Sequence, residues 1–115
     1  MIIVKPGASL VGLRPGMLDK TYVIDSVFNE FGVNAVVTSG TEQYKHSVER
    51  SAHYRGDAVD WRSKHLETTE RKHACLARLR EELGADFVVL FEGEGQPWEP
   101  FHTHWSPVYH GESQH

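Results

Sequence analysis

The sequence predicts a small α+β domain, a mostly antiparallel sheet with two helices packed on it. Three observations predict it. Two stretches carry apolar residues at helical spacing, each closed by a glycine. Four further runs of β-branched and aromatic residues have the length of strands, separated by Gly- and Pro-containing breaks. No repeat, low-complexity tract or linker divides the 115 residues, so one domain is expected over 1–115.

The elements follow in order. Residues 1–16 hold the turn signals Pro6-Gly7 and Pro15-Gly16, with room for one short strand at Ile2–Val4. From Met17 to Phe31, the residues Met17, Leu18, Tyr22, Val23, Val27, Phe28 and Phe31 mark a helical face, and Gly32 is its expected stop. Val33–Thr38 is a β-branched run and reads as a strand, broken by Ser39-Gly40. Asp57–Arg62 reads as another strand, with Ala58 and Asp60 on one face and Val59 and Trp61 on the other. Thr68 or Thr69 caps the second helix, whose face is Ala74, Cys75, Leu76, Leu79 and Leu83, and Gly84 ends it. Phe87–Phe91 is continuously apolar, which predicts a central strand. A loop follows, then Phe101–Trp105 alternates, with His102 and His104 on one face; the tail from about 107 frays.

Composition bounds the function. With 39% hydrophobic and 24% charged residues the chain falls in the soluble globular class. A net charge of −4 disfavours nucleic acid as a partner, because phosphate binding needs a basic face. No apolar run approaches the ~20 residues of a membrane span, so no membrane partner is expected. The start Met1-Ile-Ile-Val-Lys-Pro-Gly has no signal-peptide character, which predicts cytoplasmic synthesis. A lone cysteine, Cys75, excludes an internal disulfide, and its place on the apolar helical face predicts a buried thiol. A monomer is expected.

Eight histidines stand against twelve Lys and Arg. His110 and His115 fall in the polar tail, whereas His46, His53, His102 and His104 lie beside apolar runs, where an imidazole needs a partner. His53, Asp60 and the His102/His104 pair supply three or four N/O ligands. A catalytic zinc needs three protein ligands and one position for water. Blander roles fit other residues: core or rim packing for Trp61, exposure for His65 and His73, and a solvated helix face for Arg71, Lys72, Arg78, Arg80, Glu81 and Glu82.

The stretch Ser51-Ala-His-Tyr-Arg-Gly-Asp-Ala-Val-Asp60 resembles the Ser-x-His-x-x-Gly-x-Ala-x-Asp motif of a zinc peptidase superfamily. That superfamily holds D-alanyl-D-alanine carboxypeptidases, phage endolysins cleaving L-Ala-D-Glu bonds, and the hedgehog amino-terminal domain. Val37–Gly40, His46-Ser47, the helix from Ala74 to Gly84, Phe87–Leu90 and His102-Thr-His104 extend the likeness over residues 33–106. The resemblance implies the hedgehog/carboxypeptidase-like form of the fold and a Zn2+ cofactor. Carried over, His53, Asp60 and His104 become zinc ligands, with His102 beside them assisting the transition state. Alternatively, Glu99-Pro-Phe-His102 resembles a Glu-Pro-Trp-His element, which makes His102 the ligand. Glu99 is the first choice for general base, passing a proton from the attacking water to the leaving amine; Glu92, at the end of an apolar strand, is its rival.

One departure bears on the substrate. The carboxypeptidases carry an arginine after the Ser-Gly turn that holds a terminal carboxylate, but Thr41 and Glu42 stand here. Arg50 or Arg55 would have to substitute. An endopeptidase acting on peptidoglycan peptides is therefore expected over a strict D,D-carboxypeptidase. Release by lysis or carriage in a virion is the localisation that the phage-type likeness implies. The competing expectation is a zinc-stabilised, non-catalytic binding or virion structural module, and a third treats the histidines as structural in a metal-free protein.

Overall fold

A computed structural model describes residues 1–42, 56–96 and 99–105. The elements are β1 (Ile2–Val4), α1 (Pro15–Glu30), β2 (Ala35–Ser39), β3 (Ala58–Arg62), α2 (Thr69–Leu83), β4 (Phe87–Phe91) and β5 (Pro100–Trp105), with a 3-10 turn at Lys64–Leu66. The sheet runs β1-β2-β3-β5-β4; β1 pairs with β2 in parallel and every other pair is antiparallel. The parallel pair needs a long crossover, and α1 supplies it. This is the expected α+β architecture. No helix among the described residues is long and apolar enough to cross a membrane.

Local chemistry sets the helix ends. Pro15 occupies the first turn of α1, where its missing N–H costs nothing, so the helix starts before the Pro15-Gly16 pair that reads as a turn. Thr68 caps α2 by accepting the Arg71 N–H at 3.2 Å. Gly32 and Gly84 follow the two helices with φ of 77° and 78°, a region closed to most side chains.

The core face of α1 is rotated from the expected one. Met17, Thr21, Ile24, Val27 and Phe28 are buried, while Leu18 and Tyr22 are exposed. Thr21 is accepted in the core because its hydroxyl donates to the Leu18 carbonyl at 2.6 Å, leaving the methyl to pack. On α2 the buried set is Cys75, Leu76, Leu79 and Leu83, with Ala74 exposed. Both helices cover one sheet face, where Val59, Trp61, Phe101 and Thr103 are fully buried. Phe28 lies against Trp61 and Phe101, with ring centroids 6.5 and 6.1 Å away.

A polar peg crosses this face. Trp61 Nε1 donates to Thr103 Oγ1 at 3.1 Å, and Thr103 Oγ1 donates to the Val59 carbonyl at 2.8 Å. It joins β3 to β5 in the register that pairs Asp60 with His102. Register matters because a one-residue slip would send every side chain to the opposite face.

β4 is an edge strand, not the central one its apolar run suggests. Leu90 is accordingly 41% exposed. Glu92 N–H donates to the Pro100 carbonyl, so alternation turns the backbone groups of Val88 and Leu90 toward β5 and those of Phe87, Val89 and Phe91 outward. The outward Val89 carbonyl accepts from Arg80 Nε and Nη2 at 3.1 and 2.7 Å. The basic residues of α2 are thus ties rather than a purely solvated face. Arg71 donates to the carbonyls of Leu66 and Phe31, Lys72 pairs with Glu99, and Arg78 bridges to Glu30, Glu81 and Glu82.

Candidate metal centre

Directly paired residues on antiparallel strands share a face. The face turned away from the helices therefore carries Ala58, Asp60 and Arg62 of β3, Pro100, His102 and His104 of β5, and Val88 and Leu90 of β4. Since His102 spends its backbone groups on β4, its pairing with Asp60 is of the non-hydrogen-bonded kind. That kind brings side chains closest, with Cα atoms about 4.5 Å apart.

The result is a direct contact, His102 Nδ1 to Asp60 Oδ1 at 2.5 Å, with both side chains largely buried (15% and 17% exposed). Burial by itself pulls the His102 imidazole down. The hydrogen bond and charge of Asp60, with the charge of Glu92, outweigh it and hold His102 above the ordinary histidine range. Glu92 follows the last residue of β4 and lies two residues beyond Leu90, which puts it on the same face. Its Oε1 is 4.0 Å from His102 Nδ1, and its side chain is 47% exposed. Asp60, Glu92 and His102 each offer a ligand atom, and these atoms all lie within 4.8 Å of one another. The His104 ring is 4.9 Å from that of His102, at 53°.

This donor set fits a divalent ion. One nitrogen and two carboxylates suit zinc and its first-row neighbours. Bonds near 2.1 Å in tetrahedral array separate ligand atoms by roughly 3.3 Å. Asp60 and His102 are closer than that because a proton holds them together, and Glu92 is slightly farther. An ion replacing the proton needs side-chain adjustments on the order of 1 Å, not a change of fold.

Of the residues singled out in the sequence, Asp60 and His102 come together, with His104 alongside. His46, His53, Arg50 and Arg55 lie outside the described residues. Glu99 does not join the group: its buried carboxylate pairs with Lys72 Nζ and accepts the Gly95 N–H at 2.7 Å. The Lys72 hydrogen bond is the main cause of its pKa lying below the usual carboxylate range. The glutamate beside His102 is Glu92. Strand parity with Leu90 is the signal in the sequence that points to it.

Thr41 and Glu42 have a structural use. The Glu42 carboxylate accepts the N–H groups of Ser9 and Gly40 at 3.0 and 2.8 Å and the Ser39 hydroxyl at 2.5 Å. Thr41 bonds the carbonyls of Ser9 and Val11. Close approach demands glycine at two points here. A Cβ on Gly40 would strike the Ser9 carbonyl, and one on Gly56, whose φ is 76°, would meet the Gly12 carbonyl at 2.5 Å. Asp57 pairs with Arg14 at 3.0 Å. The leading segment is thereby fastened to the turn after β2 and to the start of β3, the strand that carries Asp60. Cys75 is buried, and burial with the nearby Glu30 charge pushes its thiol up to about 12, which excludes a nucleophile.

No protein-family model matches the chain, and no solved structure matches it.

Proposed function

We propose that this chain is a zinc-dependent peptidase hydrolysing amide bonds in peptidoglycan peptides, as an endopeptidase rather than a strict D,D-carboxypeptidase. The observation that carries it is the convergence of Asp60, Glu92 and His102 on the open sheet face. The substrate class rests on the resemblance of Ser51–Asp60 and His102-Thr-His104 to the zinc peptidase motifs.

Asp60 and His102 would hold the ion, with His53 as the third ligand that the resemblance implies. A bound ion supplies Lewis acidity toward a substrate carbonyl and toward water. Glu92 would then act as general base rather than as a ligand, because its carboxylate is half-exposed and faces His102, whereas Glu99 is bound to Lys72. It would take a proton from the attacking water and return it to the leaving amine. Glu99, held by Lys72, lacks the proton affinity for that task. His104, beside His102, would donate a hydrogen bond to the oxygen that gains charge.

The test is elemental analysis of the purified chain together with turnover of purified peptidoglycan. Asp60→Asn and His102→Gln should lose the ion. Glu92→Gln should keep the ion and lose turnover by roughly 10²- to 10⁴-fold, while Glu99→Gln should keep both. Stoichiometric zinc with a chelator-sensitive melting temperature but no hydrolysis would leave a zinc-stabilised binding module instead.

A further inference from the structure

Two residues along the strands from Asp60 and His102, on the same face, the pair Arg62 and Pro100 opens into a second feature. A cavity of about 580 Å³ lies there, lined by Lys5, Thr38, Arg62, Lys64, Glu99 and Pro100 among others. Its size is that of a small-molecule site, ~300–1,000 Å³. Its charge is unusual for a chain whose net charge is −4. Lys5, Arg62 and Lys64 bring three cations to it. Among the described residues, the side chains of these three form no ion pair or hydrogen bond. The one acid in the lining, Glu99, is already neutralised by Lys72. Glu99 feels Lys64 as well as Lys72, so the cations still outnumber the one acid; like charges gathered in excess repel one another, and an anion that enters relieves that cost. The Arg62 charge extends to His65, which also lines the cavity and whose imidazole is held below the ordinary range chiefly by burial and further by Arg62. His65 spends its Nε2–H on the Asn34 carbonyl at 2.6 Å, which keeps that donor from the anion.

We propose that this cavity is an anion subsite that takes a carboxylate carried by the peptide, with Arg62 as its principal ligand and Lys5 and Lys64 beside it. The planar guanidinium matches a carboxylate in bidentate fashion, which the two ammonium groups do not. Arg62 stands two residues from Asp60, about 6.6 Å along the strand. A carboxylate held there lies about 6.6 Å from a bond presented to Asp60 and His102, within reach of the side chain of a residue beside that bond. The substrate is then a peptide with a free side-chain carboxylate on a residue beside the bond that is cut, as an endopeptidase can take. This assignment of substrate rests on the peptidase reading of the neighbouring group, but binding in the cavity does not depend on a metal.

That independence makes the test separable. Metal-free protein, prepared with chelator, is titrated with N-acetyl-glutamate α-amide (free side-chain acid), with its glutamine counterpart (side-chain amide), and with inorganic phosphate, following backbone amide signals by NMR. The free acid should shift the signals of residues 62–65 and bind about tenfold tighter than the amide, as expected for loss of one charge-assisted contact. Arg62→Gln should erase that tenfold preference. Lys64→Gln, an exposed site whose replacement leaves the fold intact, should reduce it severalfold. Asp60→Asn should leave acid binding unchanged even where it abolishes metal uptake. Equal binding of acid and amide, or acid binding indifferent to both substitutions, overturns the proposal. Phosphate binding tighter than the peptide acid at the same residues overturns the carboxylate assignment. A failure of metal uptake or turnover with acid binding intact would instead count against the peptidase alone.

Discussion

Thr103→Val tests what keeps Asp60 opposite His102. The substitution preserves shape and removes one hydroxyl from a fully buried position. Two bonds go with it, the one accepted from Trp61 Nε1 and the one donated to the Val59 carbonyl. The Trp61 N–H is left buried without an acceptor, since Trp61 is itself fully buried. An orphaned buried donor costs about 1–3 kcal/mol, and 2 is a fair centre. Unfolding entropy near 2.1 cal/mol/K per residue gives roughly 0.24 kcal/mol/K for a chain of this length, so the melting temperature should fall by about 8 °C. Differential scanning calorimetry measures this. A Trp61→Phe background supplies the control, because with the donor gone the same Thr103→Val change should cost much less. Because the peg fixes register, Thr103→Val should also weaken metal uptake at Asp60 and His102, whose side chains lie on the opposite face of the sheet. A fall of under about 2 °C, or an equal cost in both backgrounds, would refute the assigned role of the peg.

Other consequences are open to measurement. Glu99→Gln should destabilise the fold by about 3 kcal/mol in denaturant titration, because Lys72 is left largely buried and unpaired, while metal affinity stays unchanged. Burial works to raise the Glu42 carboxyl, but the bonds from Ser39, Gly40 and Ser9 override it, and the folded group titrates below its ordinary 4.5. A depressed carboxyl gives stability that is whole above the unfolded value and lost as pH falls through the folded one. Glu42→Gln should therefore flatten the acid limb of the stability curve below about pH 4.5 and change its shape little at neutral pH. Cys75 should resist alkylation at pH 8 in the folded chain and react at an ordinary thiol rate in denaturant; fast labelling of native protein would contradict its burial.

The elements were legible because their punctuation is chemical. Thr68, Gly32 and Gly84 sit where the helix ends need a cap or a left-handed residue, and the alternation of Asp57–Arg62 and Phe101–Trp105 gave the correct faces. Two readings went astray for physical reasons. Leu18 and Tyr22 look like core by residue type, but Thr21 enters the core by bonding its own helix, which a hydrophobicity count does not register. The run Phe87–Phe91 looks central because both its faces are apolar, yet Val88 and Leu90 belong to the face that carries His102, at the margin of the sheet. The candidate site was half legible. Strand parity set His102 and His104 on one face without showing which of them meets Asp60, and the claims of Glu92 and Glu99 turned on Lys72, twenty-seven positions from Glu99 and placed beside it only by the packing of α2.

The contact between Arg80 and Val89 has a consequence beyond this molecule. A bare sheet margin is a template on which a second copy can lay its own strand. On β4 two of the outward groups already have partners: the Val89 carbonyl is held by Arg80, and the Phe87 N–H donates to the Gly84 carbonyl. A neighbouring chain would have to displace a guanidinium before it could add to the sheet. Arg80→Ala would free the Val89 carbonyl and should ease addition of a second copy along this margin.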